Sequence, residues 1–481
     1  MKWSSLQEDI FEAGRDLSDS LVVVARAGSG KTTTLIELAK RLPVPSREAG
    51  IIAFANRSKD RIGSAEPPKH YAVKTAHSLG LGILKKHNPF LLVDNKGEKM
   101  LRLVSDELPN DRNLHEPVSV LVKRAKTRLI EDARELRALA ALGSDMSAVG
   151  LDGDKIVEAA SRVLFMARER DDWVDFDDMI WLPIMLGLHG GTFELLFVDE
   201  LQDLTRAQVR LVAMLTEGGR VVGFGDPAQA IYQFAGADTD AVEALSDMMK
   251  AVKLPLSISY RCAKNIVKEA QQLVPDIEAH PDNPDGCIFH GEGQPYLNRH
   301  MRVNDLVLSR TNAPLLGIAL ECARQNLPAQ IVGRALDKEM MATLERSGTS
   351  TVGQFLRWIG DWGTREMNAL KHEGLDYDHI LDKVASFEVL CRGAKGMSEV
   401  RQRIARVFVE RRGAAVQLST VHQMKGEEAD RVFVLQDTFR VKKLFAAIAA
   451  GEKPKSSEEA NLFYVAITRA RRDLHYVQGI R

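Results

Sequence analysis

Leu21–Thr32, LVVVARAGSGKT, reads as a buried strand that runs into a phosphate-binding loop and then a helix. Leu21 to Val24 form a continuous, mostly β-branched apolar run, the pattern of a central parallel strand covered on both faces. The loop is Ala27, Gly28, Ser29 and Gly30, and its glycines let the backbone turn so that N–H groups surround phosphate oxygens. Lys31 supplies a point charge to the β- and γ-phosphates, and Thr32 offers a hydroxyl to Mg2+. The helix from Thr33 to Arg41 aims its N-terminal dipole at the same anion. Ala25 stands where the general pattern has its first glycine. The plainer alternative is a Gly-rich turn that happens to precede a helix; strand, loop, Lys-Thr and helix in order favour a nucleotide.

Around this loop the chain extends to 481 residues, enough for roughly two to four domains with ample core. Apolar and charged fractions are those of an ordinary soluble globular protein. The net charge of −1 advertises no polyanion partner, although one groove can be basic while the outside stays acidic. Cys262, Cys287, Cys322 and Cys391 are scattered, with no CxxC pair, so neither a zinc or iron–sulfur site nor a disulfide framework is suggested. The first residues, MKWSSLQEDIFEAG, are polar rather than signal-like, and no run approaches a membrane span. A cytoplasmic protein without a membrane partner is the expectation.

Short apolar strands alternate with helical stretches in two regions, which points to two parallel α/β sheets. The first half has strands near Leu21–Ala25, Ile51–Ala55, Ala72–Thr75, Leu195–Asp199 and Val221–Gly225. The second has them near Leu306–Arg310, Gln330–Val332, Val416–Thr420, Val432–Gln436 and Leu474–Val477. Two helical stretches interrupt the rhythm, giving a first α/β domain (1–84 and 171–250) with insertion 85–170, and a second (251–335 and 413–481) with insertion 336–412. The basic segment Lys123, Arg124, Lys126, Arg128 reads as a solvated helix face, with a DNA-backbone contact as the minority reading. Trp358 and Trp362, one turn apart, read as helix packing rather than a base-stacking platform. Residues 451–457, GEKPKSS, read as an exposed loop.

Phe193–Asp203, FELLFVDELQD, is another apolar strand ending in paired acids. Asp199 is placed to hold Mg2+ through water, and Glu200 to polarise the water that attacks the γ-phosphate. Alone, such a pair is equally a helix cap with an acidic first turn; after a phosphate-loop strand it completes a hydrolytic site. The next strand ends in GDPAQ, which puts Gln229 at the carboxyl edge of the sheet, where ligands sit in such folds. Tyr232 and Phe234 follow as aromatics near the same edge.

In this order the motifs resemble the superfamily 1 helicases of the UvrD/Rep-like branch, over nearly the whole chain from Gln7 to Ala470. The carrying segments are AGSGKT, Phe54-Ala55-Asn56-Arg57, Thr75-Ala76-His77, Asp175-Phe176-Asp177-Asp178, Asp199-Glu200-Leu201-Gln202-Asp203 and Gly225-Asp226 to Gln229-Ala230-Ile231-Tyr232. In the second half they are Ser259-Tyr260-Arg261, Leu418 to Glu428 (LSTVHQMKGEE) and Leu462 to Arg471 (LFYVAITRAR). The resemblance implies two RecA-like P-loop NTPase domains with mostly helical inserted subdomains, using ATP and Mg2+. It assigns adenine to Gln7, stacking on the base to Tyr260, the ribose to Glu428 and the γ-phosphate to Arg261 and Arg469. Glu427 stands where the family usually has an apolar residue, and Ala235 where it usually has arginine.

The same resemblance lays single-stranded DNA across both domains, contacted by Phe54, Asn56, His77, Tyr232, Phe234 and His422. Stacking suits a motor because every base offers a π-face. The implied activity is an ATP-dependent DNA helicase moving 3′ to 5′, acting as a monomer on single strands and ss/ds junctions. Protein partners and the pathway served, whether repair, replication or mobile-element replication, stay open. Rivals are a translocase that strips proteins without unwinding, a non-catalytic architectural subunit, and an unrelated P-loop kinase or switch. The intact set Lys31, Glu200, Gln229, Arg261 and Arg469 argues against a dead subunit. Both insertions are short for the family, and no nuclease-like carboxylate cluster follows Arg469.

Overall fold

The computed structural model describes the chain apart from residues 1, 17–18, 55, 106–114, 142–152, 233–239, 333–335, 373–376, 409–412, 442–444, 447–449, 451–457 and 481. The loop expected at 451–457, together with Ala55, Phe234 and Ala235, therefore lies outside the described residues. The chain divides into two units, Met1–Ser257 and Ile258–Arg481.

In the first unit the strands are β1 (Leu21–Ala25), β2 (Ala49–Ala53), β3 (Tyr71–Thr75), β4 (Leu91–Leu92), β5 (Trp173–Val174), β6 (Leu195–Val198), β7 (Arg220–Gly225) and β8 (Val252–Leu256). Apart from the β4–β5 pair they form one parallel sheet, ordered β3-β2-β6-β7-β1-β8. Alternate residues enter opposite cores. Val23, Ile51 and Phe197 pack with Ile10 and Leu35 on one face, and Val22, Ile52 and Val198 with Leu79 and Leu211 on the other. This two-sided burial is why the strands read as unbroken apolar runs. Because the strands are parallel, their carboxyl ends share one edge, and the segments at Arg26, Phe54, Ala76, Asp199 and Asp226 all leave from it.

β8 corrects the expected start of the second domain at 251: it is the edge strand of the first sheet, in register with β1 from Leu21↔Val252 to Ala25↔Leu256. Its sequence, VKLPL, hides it from a search for apolar runs, since Lys253 and Pro255 are tolerated only because the strand lies at an edge.

The first insertion is the helices Lys96–Ser105, His115–Arg128, Ala133–Ala141 and Gly153–Glu169. Its core also takes Leu84, Trp181 and Leu182 from helices Ala76–His87 and Asp178–Met185, so packing runs across the boundaries expected near 85 and 170. The solvated reading of the basic run fails at Lys126, which is 2% exposed. Lys126 Nζ donates to Asp178 Oδ1 at 2.7 Å and lies 3.7 Å from Asp175 Oδ1. Lys96 Nζ donates to the carbonyls of Ala167 and Trp173, both at 2.6 Å, and lies 3.1 Å from Asp178 Oδ2. Burial opposes the Lys126 charge, but Asp178 and Asp175 outweigh it and hold the ammonium above its usual range. Within the DFDD segment, Asp178 N–H donates to Asp175 Oδ1 at 2.9 Å where helix Asp178–Met185 begins.

Where helix Ala76–His87 meets Met179, close approach depends on Gly80: a Cβ there would stand 1.8 Å from the Met179 carbonyl oxygen. In an open helix Gly→Ala stabilises by about 1 kcal/mol. Here Gly80→Ala is expected to destabilise by about 2 kcal/mol or more through overpacking, read as a lower urea unfolding midpoint.

The second unit contains β9 (Ile258–Ser259), β10 (Glu278–Ala279), β11 (Cys287–Glu292), β12 (Leu306–Ser309), β13 (Ala329–Ile331), β14 (Val416–Thr420), β15 (Ala429–Leu435) and β16 (Ala470–Gln478). Apart from the β9–β10 pair they form a second parallel sheet, ordered β11-β16-β15-β12-β14-β13. β11, CIFHGE, was not anticipated from the sequence, because it is another largely exposed edge.

The second insertion comprises helices Leu336–Ser347, Val352–His372, Asp378–Cys391 and Met397–Val407. Its Phe355, Ile359 and Phe387 share one core with Val307, Leu418 and Phe433 of the sheet. Trp358 and Trp362 are partly buried against that core, as the packing reading expects. Asp382 ties the insertion to helix Ala313–Arg324, its carboxylate accepting the N–H groups of Asn312 at 2.8 Å and Ala313 at 2.9 Å. The class found is the one expected, two RecA-like α/β domains with mostly helical insertions. Among the described residues, no helix is long and apolar enough to cross a membrane.

Candidate nucleotide and nucleic-acid site

The candidate nucleotide site is built on the carboxyl edge of the first sheet. Gly28 and Gly30 have φ of 73° and 80°, left-handed values that a side chain would strain. They turn the chain from β1 into the helix Lys31–Arg41. Between them Ser29 Oγ is buried with no hydrogen-bond partner among the described residues, the condition of a hydroxyl that faces a ligand. Thr32 Oγ1 donates to Asp199 Oδ2 at 3.0 Å, and Lys31 Nζ lies 3.9 Å from Glu200 Oε2. Burial, and then the charge of Glu200, push the Asp199 carboxyl up to about 6, against the pull of Arg61 and Lys31.

Glu200 has φ of 54°, a strained conformation for a residue with a Cβ. Its N–H donates to Asp199 Oδ1 at 3.0 Å, and its carboxylate accepts from Gln202 Nε2 at 2.7 Å. Asp226 N–H donates to Gln202 Oε1 at 2.9 Å, and Gln229 Nε2 donates to Asp226 Oδ2 at 2.6 Å. The acid and the amide expected from sequence are thus joined by hydrogen bonds. Gln7 is buried beside the loop, Oε1 accepting from Ser4 N–H at 3.1 Å and Nε2 donating to Thr34 Oγ1 at 2.9 Å. Ala27 is buried, whereas Thr33 is exposed on the first helical turn.

In the second unit, Tyr260 is 37% exposed, its ring tilted against His280 at 4.9 Å. Arg261 pairs with Glu428 and donates through Nη1 to the Thr468 carbonyl at 3.4 Å. Glu428 also accepts from Arg471 Nη2 at 2.6 Å. Burial would raise its carboxyl, but Arg261 and Arg471 prevail and hold it below the usual range. Arg469 is buried, donating from Nε to the Val465 carbonyl at 3.0 Å and from Nη1 to the Glu427 carbonyl at 3.2 Å. Arg261, Glu428 and Arg469 therefore gather around Glu427 and Thr468. His422 lies in the turn after β14.

A separate cavity of 440 Å³ opens beside the nucleotide loop's neighbours in the first unit. Phe54 and Tyr232 stack in it at 5.7 Å and 24°. His77 and Phe176 stack at 3.9 Å and 20°, and Lys123 and Asp203 are among the other lining residues. Burial pushes the His77 ring down to about 4, so it is a neutral aromatic near pH 7. Three of the residues assigned to DNA, Phe54, His77 and Tyr232, are thus brought together. The side chain of Asn56 and the whole of Phe234 lie outside the described residues.

The UvrD/REP helicase N-terminal domain matches residues 6–250, half of the chain, and the UvrD-like helicase C-terminal domain matches residues 400–478. The chain belongs to the UvrD/Rep helicase family. The ATP-dependent DNA helicase PcrA of Leuconostoc citreum is 26% identical over 380 residues, covering 67% of this chain and 49% of that protein. The ATP-dependent DNA helicase Rep of Escherichia coli (strain K12) is 26% identical over 278 residues, 53% of this chain and 41% of the relative. The ATP-dependent DNA helicase PcrA of Bacillus subtilis (strain 168) is 27% identical over 293 residues, 55% and 38%. The matches span about half the length of these curated relatives or less.

In this UvrD/Rep-type site, sequence reasoning passed over Arg61, Gln202 and Arg26. Arg61 Nη2 donates to Thr32 Oγ1 at 3.4 Å and lies 3.7 Å from Asp199 and 3.5 Å from Glu200. On a helix surface such an arginine gives no signal of its own, because its partners are far along the chain. Gln202 was visible inside the acidic motif but had no role until its partners were known. Arg26 lies within the phosphate loop itself, at a position where the general pattern accepts any residue.

Proposed function

We propose that this chain hydrolyses ATP and uses the cycle to move along single-stranded DNA, 3′ to 5′, opening duplex at single-strand/duplex junctions. One observation carries the reading: two short segments of the same sheet edge reach both sites. Asp199–Asp203 gives Glu200 to the nucleotide loop and Asp203 to the aromatic cavity. Asp226–Tyr232 gives Gln229 to the hydrogen-bonded acid network and Tyr232 to the cavity. A shift of either segment on hydrolysis is therefore felt where a base would stack. The cavity's flat, neutral rings suit sequence-independent stacking. The relatives are ATP-dependent DNA helicases, which supports the same reading.

The residues present fit ATP and Mg2+. Ser29 offers a buried hydroxyl without a partner, and Thr32 and Asp199 offer hard oxygen donors to Mg2+. Thr32 and Asp199 would hold Mg2+ together with phosphate and water oxygens. Bound Mg2+ supplies charge neutralisation at the phosphates. Lys31 binds the phosphates at the loop. Glu200 accepts the proton of the water that attacks the γ-phosphorus, as the bond to the β-phosphate oxygen breaks. Arg261 and Arg469 are assigned to turnover on the family resemblance.

The deciding measurement records ATP turnover and strand separation together on duplexes with a 3′ or a 5′ single-stranded tail. Turnover stimulated by single strands, with separation of the 3′-tailed substrate, is expected. Stimulated turnover without separation of either substrate establishes the protein-stripping translocase instead. Glu200→Gln is expected to keep ATP binding while losing on the order of a hundredfold or more in kcat. Unchanged kcat would remove Glu200 from the role of base.

A further inference from the structure

We propose that Arg26 is a positioning residue of the ATPase site, acting through the Asp226 carboxylate on the Gln229 amide; this rests on the ATPase reading above. Its backbone is pinned on both sides. Arg26 N–H donates to the Leu256 carbonyl of β8 at 3.0 Å, and its carbonyl accepts from Ser29 N–H at 3.2 Å. Its side chain, 14% exposed, runs toward β7 instead of outward. Nη1 donates to the Ala25 carbonyl at 2.9 Å and to Asp226 Oδ1 at 3.4 Å. β1 and β7 are neighbours in register, Val24 beside Gly225, so the next residues of each chain meet as the strands end.

Asp226 is where three functional segments join. It has no exposed surface. Oδ1 accepts from Arg26 and from Ala228 N–H at 3.2 Å, Oδ2 accepts from Gln229 Nε2 at 2.6 Å, and the backbone N–H continues through Gln202 to Glu200. A carboxylate removed from water stays charged only with charged or hydrogen-bonded partners. Burial pushes Asp226 toward its neutral form, and Lys31 and Arg26 oppose that. Lys31 is committed to phosphate once nucleotide binds, which leaves Arg26 as the cation that stays with Asp226.

The consequence is geometric. An ionised carboxylate only accepts, so Gln229 must turn its NH2 toward Asp226 and its carbonyl oxygen away. A protonated Asp226 could donate as well and would tolerate either face of the amide. Arg26 thereby keeps Gln229 in one orientation while Glu200, three hydrogen bonds from that amide, carries out the chemistry. The ligand pocket itself needs no arginine there, since the phosphates are served by the loop and Lys31.

The test compares Arg26→Met and Arg26→Lys with the unmodified full-length chain, alone and in a Gln229→Ala background, using DNA-stimulated ATP turnover. Arg26→Met should lower kcat about tenfold or more, the scale of one charged hydrogen bond, with KM for ATP changed by less than about twofold. Arg26→Lys should recover most of kcat. In the Gln229→Ala background Arg26→Met should change kcat by less than about twofold, because the residue through which it acts is gone. A general structural defect would lower kcat in both backgrounds. A tenfold rise in KM at constant kcat, equal losses in both backgrounds, or no change in kcat each overturns the proposal. If the unmodified chain turns over no ATP, the functional reading fails separately. The arginine is then judged by urea midpoints: Arg26→Met must shift the midpoint less in an Asp226→Asn background, and equal shifts overturn it.

Discussion

Lys31→Ala is expected to bring ATP turnover close to zero while leaving the fold intact. Lys31 opens the helix Lys31–Arg41, is half-buried, and has Glu200 as a salt-bridge neighbour at 3.9 Å. It therefore carries little of the core, which lies on Leu35, Leu38 and the strand residues behind it. In the proposed function its charge acts on the phosphates, where negative charge develops during phosphoryl transfer. Removing one preorganised donor of this kind costs about a hundred- to a thousandfold in kcat. Truncation to alanine, a strong helix former, leaves the helix start intact. The measurement is DNA-stimulated phosphate release with a parallel thermal melt. Turnover within threefold of the unmodified chain, at an unchanged melting temperature, would falsify the nucleotide assignment.

The second large effect lies away from catalysis. Asp178→Ala should destabilise the first unit by about 4 kcal/mol, because it strands two buried ammonium groups at once. Asp178 accepts from Lys126 Nζ at 2.7 Å and lies 3.1 Å from Lys96 Nζ, and neither lysine reaches appreciable solvent. In a unit of this size that corresponds to a drop of roughly 10 °C in melting temperature. The control is the combined replacement Lys96→Met, Lys126→Met, Asp178→Leu, which removes the charges together. Apolar replacement of a whole buried cluster is often neutral or stabilising, so this variant should melt well above Asp178→Ala. If Asp178→Ala melts with the unmodified chain, the cluster contributes nothing to holding the insertion on the sheet domain.

The two predictions also separate what was legible in the chain from what was not. Lys31, Thr32, Asp199 and Glu200 were readable because their chemistry is written in contiguous segments: apolar strand, tight turn, charged residue. Parallel α/β topology then makes their meeting nearly automatic, since every strand ends at the same edge. Trp358 and Trp362 were readable as packing for a similar local reason, their spacing on one helix face. Lys126 was misread because helix charge is solvated by default, and only the fold of DFDD against it makes burial tolerable. β8 and β11 were missed because edge strands need no apolar run on both faces.

The sequence by itself determined the family, the class of fold and the tight glycine turn after β1. Those depend on local backbone geometry and on apolar periodicity, which neighbours along the chain suffice to encode. Tertiary structure alone decided which polar groups are buried and whom they serve. Arg26 meets Asp226 across 200 positions of chain, and Lys126 meets Asp178 across 52. A charge has the same letter code in water as in a core, and its role is set by the dielectric and the partners that folding brings to it.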